Sequence, residues 1–398
     1  MYDDARMSEV KEFIMAAGLH PLFIAKIPVP TSDIQNKYIK QFESKFRNGK
    51  YGYVRIPCIC GKDDDEIIGV RDRYGIKIHT VICRSCGLVR ANPYYDDNTI
   101  AGFYKNEYDQ IYRSGGGVKN FDSHFNFLKN RGEKIIELLL QHDINLKHKI
   151  IYEIGCAGGG TLKAFQDIGC TVKGADFNET LIKKGKEKGL NLVYGGIECF
   201  ESDTDTKADI VIINHLLEHI TRPIDYLIDL RGIIKDDGLL WVWVPVFEDY
   251  LDDSFLKFAK YNTFIKIQNA HVYYFTFNTL SYVLECAGYD CTKVNYGQII
   301  ARKKEKYRDK DDICLQEYDY VINLITKANI KCEKILYKQL VEEQRNQINL
   351  LSQRHKILRG IIKLLVNKRR YKKLKQNPYQ FFKDSKSTII KLLGVFYT

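Results

Sequence analysis

The run IIYEIGCAGGGTLKAF, residues 150–165, limits the fold more than any other stretch of the chain. Apolar residues lead into Glu153. A tight turn follows through Gly155, Ala157, Gly158, Gly159 and Gly160, and TLKAF opens a helix. Strand, turn and helix start in that order bring bare backbone to a strand end, where a cofactor can lie against it. A second strand, CTVKGAD, ends at Asp176, 23 residues after Glu153. A carboxylate there suits hydrogen bonds from a ribose diol. Together the two strands imply a nucleoside cofactor with an extended tail.

Strand candidates IIYEI, TVKGAD, LVYG, DIVIIN and LLWVWVP alternate with helices across residues 149–300. This predicts an α/β fold with a Rossmann-like, doubly wound parallel sheet. The strands are near-continuous apolar runs, as expected when helices cover both faces. The glycine turn alone also fits a degenerate dinucleotide fingerprint, with Ala157 at the second glycine. Two features favour S-adenosylmethionine over a nicotinamide dinucleotide. Glu153 would repel a pyrophosphate but suits a cationic or amino-bearing ligand. The strand DIVIIN runs into HLLEHI, a polar cluster at the carboxyl edge where such sheets bind ligands. Alanine at 157 keeps the turn provided its φ is negative.

The chain of 398 residues allows two or three domains, and 45% hydrophobic content supports a core. No apolar run reaches the roughly 18 residues of a spanning helix. The acidic start MYDDARMSEV does not read as a signal peptide. With eleven cysteines and no export signal, a reducing, cytoplasmic setting is expected. Arg354–Thr398 holds 13 Lys/Arg and one acid, whereas the other residues hold 48 basic and 49 acidic side chains. The net charge of +11 therefore belongs to the tail and says nothing about the body's partners.

Cys58 and Cys60 are spaced C-x-C, and Cys83 and Cys86 C-x-x-C, 23 positions further on. Two close pairs joined by a short-strand hairpin can converge on one tetrahedral zinc ion, and glycines 61 and 87 let the knuckles turn. Four thiolates make a closed, structural site. The other seven cysteines read as core thiols.

Several ordered blocks resemble a known family: CICG…VICRSCGLVRANP, FYKNEY, YEIGCAGGGTL, DIVIINHLLEHITRP and AHVYYFTFNTLSYVLECAGY. Over about residues 55–290 the chain resembles class I S-adenosylmethionine-dependent methyltransferases. The likeness is to the bacterial subgroup with an N-terminal zinc-binding module, which includes sugar C-methyltransferases. The first cysteine pair is shorter than in that pattern, and the subgroup's large C-terminal domain has no counterpart. The resemblance implies that Glu153, Gly155, Ala157 and Gly159 surround the methionine portion of the cofactor. It implies that Asp176 binds the ribose, that Phe177 flanks the adenine, and that Gly196 and Ile197 lie at the adenine edge. Asn214 and His215 would line the methyl-transfer site, with His271 facing it. The expected activity is O-methylation of a sugar in surface-polysaccharide (capsule or lipopolysaccharide) biosynthesis. C-methylation of a nucleotide-linked ketosugar is the alternative within the class. An NAD-dependent oxidoreductase and a nucleic-acid-binding or RNA-modifying protein are the alternatives outside it.

His215-Leu-Leu-Glu218-His219 spells H-x-x-E-H, an inverted zinc-protease pattern that needs both histidines on one helix face. Starting at a strand end, Glu218 and His219 fit better as the opening of the next helix, with His219 in local hydrogen bonds and capping. His271 follows a long insertion, about residues 247–269. A histidine there can take the proton from an attacking hydroxyl, a role worth about 10²–10⁴-fold. His215 is the competing base, and a structural role for His271 is the alternative.

The expected organisation is an extension (1–50), a zinc-binding module (51–95), a helical aromatic connector that caps the cleft (96–148), the cofactor domain (149–300) and a helical basic region (301–398). A 3-4 apolar spacing over 341–365 suits an amphipathic helix, either a homodimeric coiled coil or a helix packed on the body. Residues 371–398 pair a cationic run with apolar residues on one helical side. That pattern suits an anionic membrane surface, here the inner membrane face. It carries no RNA-binding signature, so nucleic acid is not the expected partner.

Overall fold

The computed structural model describes residues 29–112, 120–201, 206–260, 262–309, 317–365 and 376, with side chains to residue 353. Residues 371–398, expected to form an amphipathic tail, lie outside these apart from 376, as do the glycine break at 114–117 and Cys314.

The first strands are β1 (Tyr53–Val54), β2 (Asp65–Arg71), β3 (Lys77–Cys83), β4 (Val89–Ala91) and β5 (Tyr94–Tyr95). The central strands are β6 (Ile150–Ile154), β7 (Thr171–Asp176), β8 (Leu192–Tyr194), β9 (Ala208–Asn214) and β10 (Ile234–Trp243). Later come β11 (Tyr273–Tyr274), β12 (Tyr289–Asn295) and β13 (Gln298–Lys303). The large sheet has the order β12-β13-β10-β9-β6-β7-β8. Neighbours from β8 to β10 are parallel, whereas β13 runs antiparallel to both β10 and β12. The doubly wound sheet is as expected, with an antiparallel edge pair that the alternation did not reveal.

β9 is buried at every residue, and β6 after its first, so side chains point into a core on each face. Strand order reverses between β6 and β9, which opens a crevice at their carboxyl ends. One core cluster unites one face of this sheet with the cysteine region, and a second packs the helix Phe121–Gln141 on the other face.

A second sheet has the order β11-β4-β3-β2. Its last strand comes from the far side of the sequence and pairs antiparallel with β4. The strand that ends at Cys83 therefore shares a sheet with the segment that follows His271. The aromatic segment is mostly core: Tyr94, Tyr95 and Phe103 are fully buried, and the rings of Tyr95 and Phe103 pack around Phe42 at 5.0–5.4 Å. One continuous helix, Glu317–Leu365, contains the span 341–365. No helix among the described residues is long and apolar enough to cross a membrane.

Candidate active site

The turn after β6 enters the left-handed region three times, at Gly155 (φ +74), Ala157 (φ +50) and Gly159 (φ +78). The expectation of a negative φ at Ala157 is corrected here. The bend places the Ala157 amide 2.8 Å from Asp176 Oδ2, to which it donates. The Cβ of Ala157 makes that conformation cost roughly 1–2 kcal/mol. The second carboxylate oxygen of Asp176 accepts from the Asn178 amide at 2.8 Å. Asp176 thus ties the turn to the end of β7.

Beside it, Phe177 is 68% exposed, and its ring stands edge-on to Tyr194 at 5.8 Å. A Cβ on Gly196 would come within 3.3 Å of the Phe177 ring, so the glycine leaves that corner open. Ile197 is half-buried next to it. Asp176, Phe177, Gly196 and Ile197 therefore gather at one end of the site. Gly159 is not part of the cleft lining: its α-carbon packs on Leu190 and Leu192, where a Cβ would lie 2.7 Å from Leu190.

At the other end, a cleft of about 590 Å³ is lined by Glu153, Gly155, Ala157, Asn214, His215 and His271, together with Glu218 and His219. That volume is in the range of small-molecule sites. Glu153 is 3% exposed. Its Oε1 accepts from Asn214 Nδ2 at 3.2 Å, and its Oε2 has no hydrogen-bond partner. Burial pushes its carboxyl up to about 7 against the pull of the Asn214 hydrogen bond. Asn214 is held in turn by Trp241 Nε1 at 3.2 Å, so its amide orients Glu153. His215 sits at φ +50 with its amide bonded to the Trp243 carbonyl at 2.7 Å.

Glu218 and His219 lie on a single 3-10 turn, Leu217–His219, not at the start of an α-helix; the helix begins later, at Pro223. Pro223 sets that start, because proline is pre-shaped for a first helical turn. The three-residue turn also lacks the helix face that the protease pattern needs. His219 Nδ1 lies 2.8 Å from the Ala270 carbonyl and from the Tyr104 hydroxyl. A carbonyl only accepts, so Nδ1 carries the proton there. His271 is buried, 2.7 Å from the Gln268 amide nitrogen. Burial, with His219 and Arg73 beside it, holds its imidazole well below the usual range and therefore neutral near pH 7.

The insertion supplies a wall of the cleft through Phe247, Phe255, Phe258, Ile265 and Lys266. Of the aromatic connector, Tyr108 lines the cleft and Tyr104 holds His219. Arg131 also lines it, stacked over Trp243 at 5.1 Å. Nothing in the sequence marked that arginine, one of several charged residues on a long amphipathic helix.

The four cysteines converge as expected. Sγ atoms of Cys58 and Cys86, Cys58 and Cys60, and Cys60 and Cys83 lie 3.5, 3.5 and 3.7 Å apart. Of the remaining thiols, Cys156, Cys170, Cys286 and Cys332 are buried, while Cys199 and Cys291 are half-buried.

Residues 126–294 match the family model described as a methyltransferase domain. Their sheet has the Rossmann-like α/β fold of class I methyltransferases. The ubiquinone biosynthesis O-methyltransferase of Coxiella burnetii is 32% identical over 108 residues, 26% of this chain and 46% of that protein. Its namesake in Maricaulis maris is 30% identical over 96 residues, 23% of this chain and 38% of that protein. The chain spans about half the length of the curated relatives it matches, or less. Human N-acetylserotonin methyltransferase, solved in complex with SAM, is 17% identical; the match covers 50% of this chain and 59% of that one, at a TM-score of 0.38. The matched residues begin inside the helix Phe121–Gln141, so the cysteine region lies outside them.

Proposed function

We propose that this protein transfers a methyl group from S-adenosylmethionine to a ring hydroxyl. The observation that carries the reading is Glu153, a buried carboxylate with one unpartnered oxygen at the switch point of a methyltransferase domain. The cofactor's ammonium would meet Glu153, its carboxylate Arg131, its ribose Asp176 and its adenine Phe177. The sulfonium would then face His215 and His271. In the reaction the acceptor O–H gives its proton to one of these imidazoles. The oxygen forms a bond to the methyl carbon, and the carbon–sulfur bond breaks. The electron pair stays on sulfur, and S-adenosylhomocysteine leaves neutral at that atom. The domain supplies in-line positioning and a nearby base.

The acceptor proposed is a sugar of a surface polysaccharide, supported by the sequence likeness and by a cleft with aromatic walls on which a sugar ring can stack. A phenolic ring is the second reading. It is favoured by the name of the matched relatives and by the apolar side chains of Phe247, Phe255 and Phe258.

We also propose that Cys58, Cys60, Cys83 and Cys86 hold a structural zinc ion. Bonds of about 2.3 Å to a tetrahedral centre place sulfurs about 3.8 Å apart, close to the spacing observed. Such an ion stabilises the module and takes no part in methyl transfer.

Isothermal titration with S-adenosylhomocysteine, on wild type and Asp176→Ala, tests the cofactor. Micromolar binding lost in the variant is expected, and a folded wild type that binds none would end the reading. Labelled methyl transfer to sugar and catechol panels then separates the two acceptors.

A further inference from the structure

The cleft holds a second convergence that a positioned base alone does not require. Glu218 is 1% exposed, yet neither carboxylate oxygen has a hydrogen-bond partner. A buried carboxylate without a donor is costly, and such groups are normally paired or bound to metal. Three imidazoles surround it. His215 Nδ1, His219 Nε2 and His271 Nε2 lie 3.5, 3.9 and 4.0 Å from Glu218 Oε1. The donor atoms of Glu218, His219 and His271 all fall within 4.8 Å of one another.

We propose that Glu218, His219 and His271 bind one divalent transition-metal ion at the methyl-transfer end of the cleft. Two imidazoles and a carboxylate suit zinc, iron(II), cobalt or manganese, and such a set leaves coordination positions open. His219 has the support that a ligating imidazole usually has, since its Nδ1–H is tied to a backbone carbonyl, and its Nε2 lies 3.9 Å from Glu218 Oε1. The Val272 amide donates to the Glu218 carbonyl at 2.9 Å, which locks the two ligand-bearing segments together. Bonds of about 2.1 Å need donors about 3.0–3.4 Å apart. The side chains would close slightly around the ion, and the Gln268 amide would swing off His271 Nε2.

The ion's role, though not its existence, rests on the methyl-transfer reading. A Lewis acid there acidifies an acceptor hydroxyl. His271 then serves as a ligand, and His215 is left as the proton acceptor. The favoured acceptors are those with two adjacent oxygens, such as a vicinal diol or a catechol.

The test titrates the full, zinc-loaded chain with Co²⁺, following visible absorption and equilibrium dialysis, with S-adenosylhomocysteine affinity measured on the same samples. A single equivalent of cobalt with nitrogen/oxygen-type d–d bands is expected. Glu218→Gln and His271→Ala should lose it while still binding S-adenosylhomocysteine. Should Glu218→Gln unfold, His219→Ala reads the same loss. The inference is overturned by wild type that binds S-adenosylhomocysteine without those bands, by thiolate charge transfer alone, or by bands that survive the substitutions. In each of those cases the methyl-transfer reading still stands, because it fails only with the loss of S-adenosylhomocysteine binding.

Discussion

At Glu153 burial raises the carboxyl to about 7, so the native state holds this proton more tightly than the unfolded chain does. The charged form therefore destabilises the fold above pH 7, and that penalty fades as the pH falls toward the unfolded value near 4.5. Cofactor binding runs the other way, because an ammonium needs the ionised form. S-adenosylhomocysteine should bind about tenfold more weakly at pH 6 than at pH 8. Glu153→Gln should flatten that profile, weaken binding, and stabilise the free protein at pH 8 by about 1–3 kcal/mol. A wild-type affinity independent of pH would show that Glu153 does not meet the cofactor's cation. Ala157 stores a different strain. Its left-handed conformation costs roughly 1–2 kcal/mol, partly offset by the entropy that glycine loses on folding. Ala157→Gly should raise stability by about 1 kcal/mol or less, read from denaturant midpoints, and leave cofactor affinity intact.

Two elements meet with no room between them: the helix Phe121–Gln141 and the helix Gly160–Asp167. A Cβ on Gly160 would lie 2.3 Å from the Phe125 carbonyl, and one on Gly132 would lie 2.6 Å from the Thr161 carbonyl. Both obstacles are backbone, so neither can rotate away. Gly160→Ala should cost about 1–3 kcal/mol and shift Arg131 with its helix. Circular dichroism melts and cofactor affinity would both register the change, and a variant as stable as wild type would contradict the packing. This contact shows what the sequence could and could not announce. Three adjacent glycines read as a ligand turn, yet Gly160 is small because a helix crosses it. The central strands were legible because burial on both faces leaves continuous apolar runs. Edge strand β12, YDCTKVN, is polar and half-exposed, and β11 has only two residues; neither carries such a run. HLLEH was visible as a cluster. Its partner His271 stands 52 residues beyond His219 and reaches it only through tertiary pairing.

Across the molecule, the cysteine cluster and the proposed methyl-transfer site are joined by one sheet. Cys83 ends β3, β3 pairs with β4, β4 pairs with β11, and β11 starts two residues after His271. Arg90 of β4 is fully buried and makes a bidentate pair with Asp65 at 2.8 Å. Its guanidinium also donates to Asp63 Oδ1 at 3.1 Å, and the same oxygen accepts from the Cys58 amide at 2.6 Å. The cluster therefore anchors the strand against which the His271 segment is laid. The residues proposed to hold the cofactor, on β6 and β7, belong to the other sheet. Cys83→Ser, or removal of the proposed zinc ion by a strong chelator, should lower the thermal midpoint by several degrees, because structural zinc binding is folding free energy. S-adenosylhomocysteine affinity should stay within about threefold. Turnover should fall by about 10²-fold, since small displacements of a positioned group cost that much. Equal losses in binding and turnover would mean that the cluster supports the whole fold, and unchanged turnover in zinc-free protein would break the mechanical link from Cys83 to His271.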